Sequence, residues 1–405
     1  MTSQSEMNPS TEGLKQHSQV KLFDEKDDLQ LYSYTNTTGE FPEECRGLVY
    51  KGDKIVLKTF PFTPQYSVND TEKLNEIFQD QFENFTFFES HEGSIIRLSY
   101  LNDKWYVSTH KKLDAFQSRW SSKRTFGDLF VDSLQNEYNV NRDFMTRLGQ
   151  TTEVFESFLN ILDTSKVYVF LLRNNNDNRI VCDPPDYPTV YHVGTFIGDE
   201  FSLTEQLDIP YPNKLSFTNS NELLDYVENI DYTKHQGVVV FKDNIVCKVM
   251  NSNYNRMFSI RGNESDIRFR YLQLRSNTEK TNELYHLYPR FVELFDDCEE
   301  TIFKIAKWIM EKYVDRFIRK QYVTVPRDEY NIIKLCHTWH MEDRKRNRIS
   351  IRKIRQFIDT QDPDSLYRMF KRYKHNQTQN HFVPQFRDEQ ERRCDIGSSD
   401  DAGSE

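Results

Sequence analysis

The chain has 405 residues, with 53 Lys and Arg against 63 Asp and Glu, and its formal net charge of −10 excludes a broadly basic, nucleic-acid-coating protein. No apolar run approaches the roughly 20 residues that a membrane-spanning helix requires, and Met1 to Glu6 show neither the basic nor the apolar segment of a secretory leader. The length admits two domains, and 30 Phe with 22 Tyr provide large side chains for a core although only 37 % of residues are hydrophobic.

Residues 1–19, rich in Ser, Gln and Glu, read as a disordered polar tail. Short β-type runs dominate residues 20–263, among them Ile55–Phe60, Ser94–Tyr100, Lys166–Leu172 and Gly237–Phe241. Lys242, Asp243 and Asn244 read as the turn of a hairpin that joins Val238–Phe241 to Ile245–Val249. Helical patches interrupt the strands at Thr71–Phe82 and Thr151–Asp163. Intermixed strands, hairpins and helices predict an α+β domain with antiparallel sheets.

After residue 263 the pattern changes. Glu293–Gln321 sets Ile302, Ile305, Ala306, Ile309, Tyr313 and Phe317 at helical spacing. Arg327–His340 and Ile349–Asp359 read as helices, and Asp364 as the cap of another over Leu366–Tyr373. An all-helical C-terminal domain is expected over residues 264–376, with a disordered polar tail over 377–405. Within the helical domain lies a basic cluster, Arg344, Lys345, Arg346, Arg348, Arg352, Lys353 and Arg355, followed by Arg368, Lys371, Arg372 and Lys374. Against the acidic background it is a candidate surface for RNA or an acidic partner, with a solvated helix face as the plainer alternative.

The six cysteines, Cys45, Cys182, Cys247, Cys298, Cys336 and Cys394, form no Cys-x-x-Cys pair and fit reduced thiols of an intracellular, cytoplasmic or nuclear protein. Cys336 and His340 stand four apart and could chelate zinc from one helix face. No second ligand pair lies nearby in sequence, so a half-buried helix face is the preferred reading, and no metal site is expected.

The stretch Phe87-Phe88-Glu89-Ser90-His91-Glu92-Gly93-Ser94 carries the sharpest signal, and six further stretches accompany it in order. They are Glu43–Tyr50, Phe60–Tyr66, Trp105–Lys111, Val169–Leu172 with Asn178–Val181, Gln236–Val240 and Cys247–Asn251. From about Lys21 to about Arg261 this series resembles the phage-type, ATP-dependent RNA ligases that reseal broken tRNA, members of the covalent nucleotidyltransferases. The resemblance implies a nucleotidyltransferase fold and a nucleotide pocket at Arg46, Ser90, Glu92, Gly93, Phe170, Leu171, Gln236, Lys248 and Met250. In the family, a lysine in Lys-x-Asp/Glu-Gly attacks the α-phosphate of ATP and carries AMP as a phosphoramidate. Attack of that kind needs an amine with a depressed pKa.

The departures fall on the chemistry. Ser90 stands at the lysine position, Leu171 and Gln236 stand where the family has metal-supporting carboxylates, and Met250 replaces the second lysine of the last element, which contacts the α-phosphate, while Lys248 keeps the first. Phe60 and Pro64 replace an arginine and a lysine. Phosphoryl chemistry needs anionic oxygen ligands and cationic phosphate clamps, and both are depleted here. Activation of Ser90 by His91 is disfavoured because adjacent strand residues point to opposite faces, which leaves a solvent-facing histidine as the expectation. A displaced amine such as Lys111 or Lys112 is the less favoured rescue.

The expected function is therefore that of a catalytically inactive RNA-ligase-like subunit without a cofactor, binding RNA or proteins of an RNA-processing or transcription complex, its pocket filled by Leu171 and Met250. The alternative is an active ligase that uses ATP and Mg²⁺ to join 5′-phosphate and 3′-hydroxyl RNA ends through an AMP intermediate. Nucleotide sensing without chemistry is a third reading.

Overall fold

The computed structural model describes residues 11–380, apart from 38, 59, 80, 174–178, 199, 204 and 243–244. Residues 1–10, the tail from 381 with Cys394, Asn178, and the turn residues Asp243 and Asn244 lie outside the described residues. The chain divides into two compact units, Met1–Ser265 and Asp266–Glu405.

The first unit opens with α1 (Thr11–Gln16), inside the stretch expected to be disordered. One apolar side chain accounts for the difference, because Leu14 is buried with Val20, Cys45, Leu48 and Tyr50. The strands β1 (Val20–Lys26), β2 (Leu29–Tyr34), β3 (Arg46–Lys51) and β4 (Lys54–Leu57) then form an antiparallel meander.

Two five-stranded sheets follow. Their elements are β5 (Gln65–Ser67), α2 (Thr71–Phe78), β6 (Thr86–Ser90), β7 (Ser94–Leu101), β8 (Lys104–Ser108), α3 (Phe126–Val140), α4 (Arg142–Leu148), α5 (Val154–Ile161) and β9 (Lys166–Arg173). The chain continues through β10 (Thr189–Ile197), β11 (Glu200–Ser202), β12 (Lys214–Leu215), α6 (Ser220–Asn229), β13 (Gly237–Lys242), β14 (Ile245–Met250) and α7 (Ser252–Arg261). One sheet has the order β11-β10-β9-β7-β8 and the other β12-β6-β13-β14-β5. The described pairings are antiparallel except that β5 runs parallel to β14.

Period-two alternation decides what each sheet buries. From β9, Tyr168, Phe170 and Leu172 join Phe130, Leu134 and Phe158 of α3 and α5 in one core. From β13 and β14, Val238, Val240, Cys247 and Val249 join Leu74 and Phe78 of α2 and Leu223 and Val227 of α6 in another. Each sheet is thus covered by helices on its outer face. The inner faces meet across a layer of aromatic rings, where Phe201 of β11 stacks on Phe241 of β13 with centroids 5.7 Å apart.

The second unit is helical: α8 (Ile267–Leu274), α9 (Thr278–Leu287), α10 (Val292–Tyr313), α11 (Arg327–Glu342), α12 (Ile351–Asp359) and α13 (Pro363–Asn380). The apolar stripe of α10, including Cys298, Ile302, Ile305 and Ile309, is buried, and α10 packs on α12 and α13. α13 runs through residues 377–380, which the sequence assigns to a polar tail.

Candidate functional site

The site forms at the end of β6, between the inner faces of the two large sheets. Phe87 enters the core under α2 and α6, so Phe88 and Ser90 take the opposite face. β13 lies beside β6 with Gly237 opposite Ser90. β14 then places Lys248 opposite Val239 and Met250 opposite Gly237. Gly237 is required here: its φ is +152°, and a Cβ would lie 2.0 Å from the Val249 carbonyl oxygen. Gly93 is equally constrained, since a Cβ would lie 2.7 Å from the Leu172 carbonyl oxygen and 2.8 Å from Leu171 Cδ1.

One amide organises the polar groups. Ser90 Oγ donates to Gln236 Oε1 at 3.0 Å, and Lys248 Nζ donates to the same oxygen at 3.1 Å. Gln236 Nε2 donates to the Tyr254 hydroxyl at 2.8 Å. Tyr254 is in turn hydrogen-bonded to Glu92, whose carboxylate also accepts the Val181 N–H at 2.7 Å and the Ile180 N–H at 3.3 Å. Burial pushes the Glu92 pKa up, and these hydrogen bonds pull it back. Burial, reinforced by Arg46, pushes the Lys248 ammonium down to about 8.

A cavity of about 240 Å³ opens beside this network, lined by Ser90, Leu171, Gln236, Lys248 and Arg46 and by a mainly apolar wall that includes Phe60 and Phe241. It is not filled as expected: Leu171 borders it, while Met250 is buried at the end of β14 and is not among its lining residues. Phe170, expected at the pocket, faces the other way into the helix-covered core, because it alternates with Leu171 along β9. A second cavity of about 470 Å³ is strongly cationic, with Arg46, Lys111, Arg119, Arg173 and Arg179 set against Glu92 and Asp183. Arg46 lines both cavities.

Neither displaced amine reaches the first cavity. Lys112 is ion-paired to Asp24 at 3.1 Å, and the Lys111 ammonium lies 5.3 Å over the Phe23 ring. Lys248 is the amine that reaches Ser90's surroundings, and its groups within hydrogen-bond reach are not acidic. A magnesium ion does not fit at the family's metal position, since Leu171 has no oxygen to offer and Gln236 already uses Oε1 to accept from Ser90 and Lys248.

Arg97 was not anticipated from the sequence. It is fully buried, and its guanidinium donates to the Gly47 carbonyl at 2.5 Å, the Thr109 carbonyl at 2.6 Å and Ser108 Oγ at 3.2 Å. His91 is a correction as well. It is 7 % exposed rather than solvent-facing, and it stacks on Tyr191 at 5.1 Å. The structure brings His91 together with Glu89 and His235, which sequence reasoning passed over. The signal lay in the pairing of β6 with β13, which sets the residue after Ser90 beside the residue before Gln236.

Cys336 and His340 share α11 without a metal-binding partner group among the described residues. Cys336 is fully buried, and His340 Nδ1 lies 2.7 Å from the Asn347 carbonyl oxygen. The basic cluster is split. Arg355 pairs with Glu299, Arg368 with Asp328, Arg372 with Asp328 and Glu329, and Lys374 with Asp297. Lys353 lies 4.4 Å over the Trp339 ring. Arg344, Lys345, Arg346 and Arg348 are exposed on the link between α11 and α12, and Arg352 is exposed on α12.

No protein-family model matches the chain. It is similar to two proteins named immediate-early protein ICP-46 homolog. One, from Invertebrate iridescent virus 6, is 24 % identical over 75 % of this chain and 69 % of its own. The other, from Invertebrate iridescent virus 3, is 28 % identical over 73 % of this chain and 66 % of its own. A candidate bifunctional polynucleotide kinase/RNA ligase of Autographa californica nuclear polyhedrosis virus is 25 % identical over 67 % of this chain. The chain spans only 36 % of that relative's length. Among solved structures, a candidate ATP-dependent DNA ligase from Aquifex aeolicus gives a TM-score of 0.42 at 16 % identity, covering 70 % of this chain and 76 % of that one. An archaeal ATP-dependent RNA ligase gives 0.37 at 12 % identity, covering 66 % of each chain. The first unit is an α+β domain whose ordered sequence elements meet around one cleft between two five-stranded sheets, in a chain similar at low identity to a protein named as a polynucleotide kinase/RNA ligase.

Proposed function

We propose that this protein is an RNA-ligase-like subunit that does not transfer AMP and acts by binding RNA or proteins of an RNA-processing or transcription complex. The observation that carries the reading is the Ser90–Gln236–Lys248 network. At the nucleophile position stands a neutral hydroxyl tied to a neutral amide, at 3.0 Å, where the family's chemistry calls for an amine beside a carboxylate. The cationic cavity beside Glu92 and the exposed Arg344–Arg348 link supply surfaces for phosphates. The name of one relative, a polynucleotide kinase/RNA ligase, supports a role in RNA metabolism.

One observation favours a second reading, an active ATP-dependent ligase. Lys248 Nζ lies 3.1 Å from the amide oxygen that Ser90 also contacts, with a pKa pushed down to about 8, so an amine does stand in the cavity. Incubation with α-labelled ATP and Mg²⁺ or Mn²⁺ separates the two. The binding reading predicts no labelled protein in wild type, together with RNA retention that weakens when Arg344, Lys345, Arg346 and Arg348 are changed to Glu. A labelled adduct lost in Lys248→Ala would establish the second reading instead.

A further inference from the structure

We propose that Glu89, His91 and His235 form a binding site for a transition-metal ion of the zinc class, bordering the first cavity, which Glu89 and His91 help to line. Glu89 alternates with Ser90 along β6, and Glu89 and His91 both border the first cavity. His91 follows two residues later, and His235 precedes the residue whose N–H bonds the Ser90 carbonyl. Pairing of β6 with β13 thus brings three ligand-bearing residues from two sequence segments to one sheet end.

The geometry suits a small ion. Glu89 Oε2 lies 3.6 Å from His91 Nε2 and 3.8 Å from His235 Nδ1, and all three ligand atoms lie within 4.8 Å of one another. Ligands at about 2.0–2.2 Å from a tetrahedral zinc stand about 3.4 Å apart, so closing the site takes a few tenths of an ångström for the two carboxylate–imidazole pairs and at most about 1.4 Å between the imidazoles. The two carboxylate–imidazole separations are too long for hydrogen bonds. His235 Nδ1 is buried with no hydrogen-bond partner, and that orphaned group is unfavourable unless something coordinates it.

The surroundings select the class of ion. Two imidazoles, one buried and one half-buried, supply nitrogen donors beside the carboxylate. A single carboxylate offers too few oxygen ligands for magnesium or calcium, which take several, and Arg173 and Lys234 act on the adjoining His235. Two imidazoles and one carboxylate suit zinc, cobalt or nickel and leave a coordination position open. Orientation comes from outside the ligand set. Asn213 Nδ2 donates to Glu89 Oε2 at 2.9 Å, and Tyr191 stacks on the His91 ring with an interplanar angle of 10°.

The test uses the full chain, stripped with a chelator and titrated with Zn²⁺ against a chromophoric competitor and with Co²⁺ in visible absorption. One tight equivalent is expected, with cobalt bands that lack a thiolate charge-transfer transition. His235→Ala, at a half-exposed position, should weaken zinc by more than about a hundredfold, and Asn213→Ala by about tenfold. Glu89→Gln, which keeps the shape, should also weaken it, and unfolding midpoints taken without metal verify that each variant is folded. Absence of a tight equivalent, an affinity unchanged in folded His235→Ala and Glu89→Gln, or a cobalt–thiolate band would overturn the proposal.

Discussion

Lys248 Nζ and Ser90 Oγ converge on one atom, Gln236 Oε1, at 3.1 and 3.0 Å. The family's nucleophile position and its remaining lysine are therefore linked through an amide that cannot carry the negative charge of a metal-site carboxylate. Burial holds Lys248 near a pKa of about 8, well below the ordinary value of about 10.4. Reductive labelling with a small aldehyde should therefore modify Lys248 half-maximally near pH 8, ahead of the surface lysines, when followed by peptide mass spectrometry. A Lys248 profile that follows the bulk lysines would contradict the network.

Ser90→Lys is the obvious repair, and it should fail. Ser90 is 1 % exposed, and a lysine there sets a second cation beside Lys248 while Leu171, Gln236 and Met250 stay as they are. Repulsion and crowding should lower stability by about 1–3 kcal/mol, measured by urea unfolding. No AMP adduct should form. A robust adduct in this single variant would mean that the remaining pocket is competent.

Arg97 joins the carbonyls of Gly47 and Thr109, at 2.5 and 2.6 Å, through a guanidinium fork that has no carboxylate partner among the described residues. Lysine keeps the charge but not the fork, and its ammonium is more strongly hydrated. Arg97→Lys should lose at least one charge-assisted hydrogen bond and destabilise the chain by about 2 kcal/mol. An unchanged urea midpoint would show that the fork is dispensable.

His192 is one of several histidines whose burial gives the acid limb its slope, with His91 and His110. It is fully buried, Nε2 lies 3.0 Å from both the Gly194 carbonyl oxygen and Thr195 Oγ1, and burial pushes its pKa down to about 4 from 6.5. Between those values the unfolded chain takes up a proton that the folded chain does not. Its contribution is therefore fully present above pH 6.5 and is lost as pH falls towards 4, at about 1.4 kcal/mol per pH unit and about 3 kcal/mol in all. His192→Asn should reduce the slope of stability against pH in this window by close to one proton. An identical slope would assign the titration elsewhere.

Much of this architecture is visible in the amino-acid order. Runs such as Lys166–Leu172 and Gly237–Phe241 announce their strands because β-branched and aromatic residues suit a pleated surface, and the stripe of α10 reads directly at 3.6-residue spacing. What stays hidden depends on pairing and facing. Phe170 and Leu171 differ by one position, and only the packing of β9 on α3 and α5 decides which of them meets the cavity. The Glu89–His91–His235 group is invisible as a motif because 144 positions separate His91 from His235, and the β6–β13 ladder removes that distance. Arg97 looks like a polar position on an exposed strand face, yet it is buried because three acceptors from other segments converge on it.

On the proposed reading, the cleft contains no group that accepts AMP. Intact-mass spectrometry of the wild-type chain after incubation with ATP and Mn²⁺ tests it most directly. The mass should stay unchanged at every protein-to-nucleotide ratio. A mass increase of one adenylyl group, mapped to Lys248 and absent from Lys248→Ala, would contradict it.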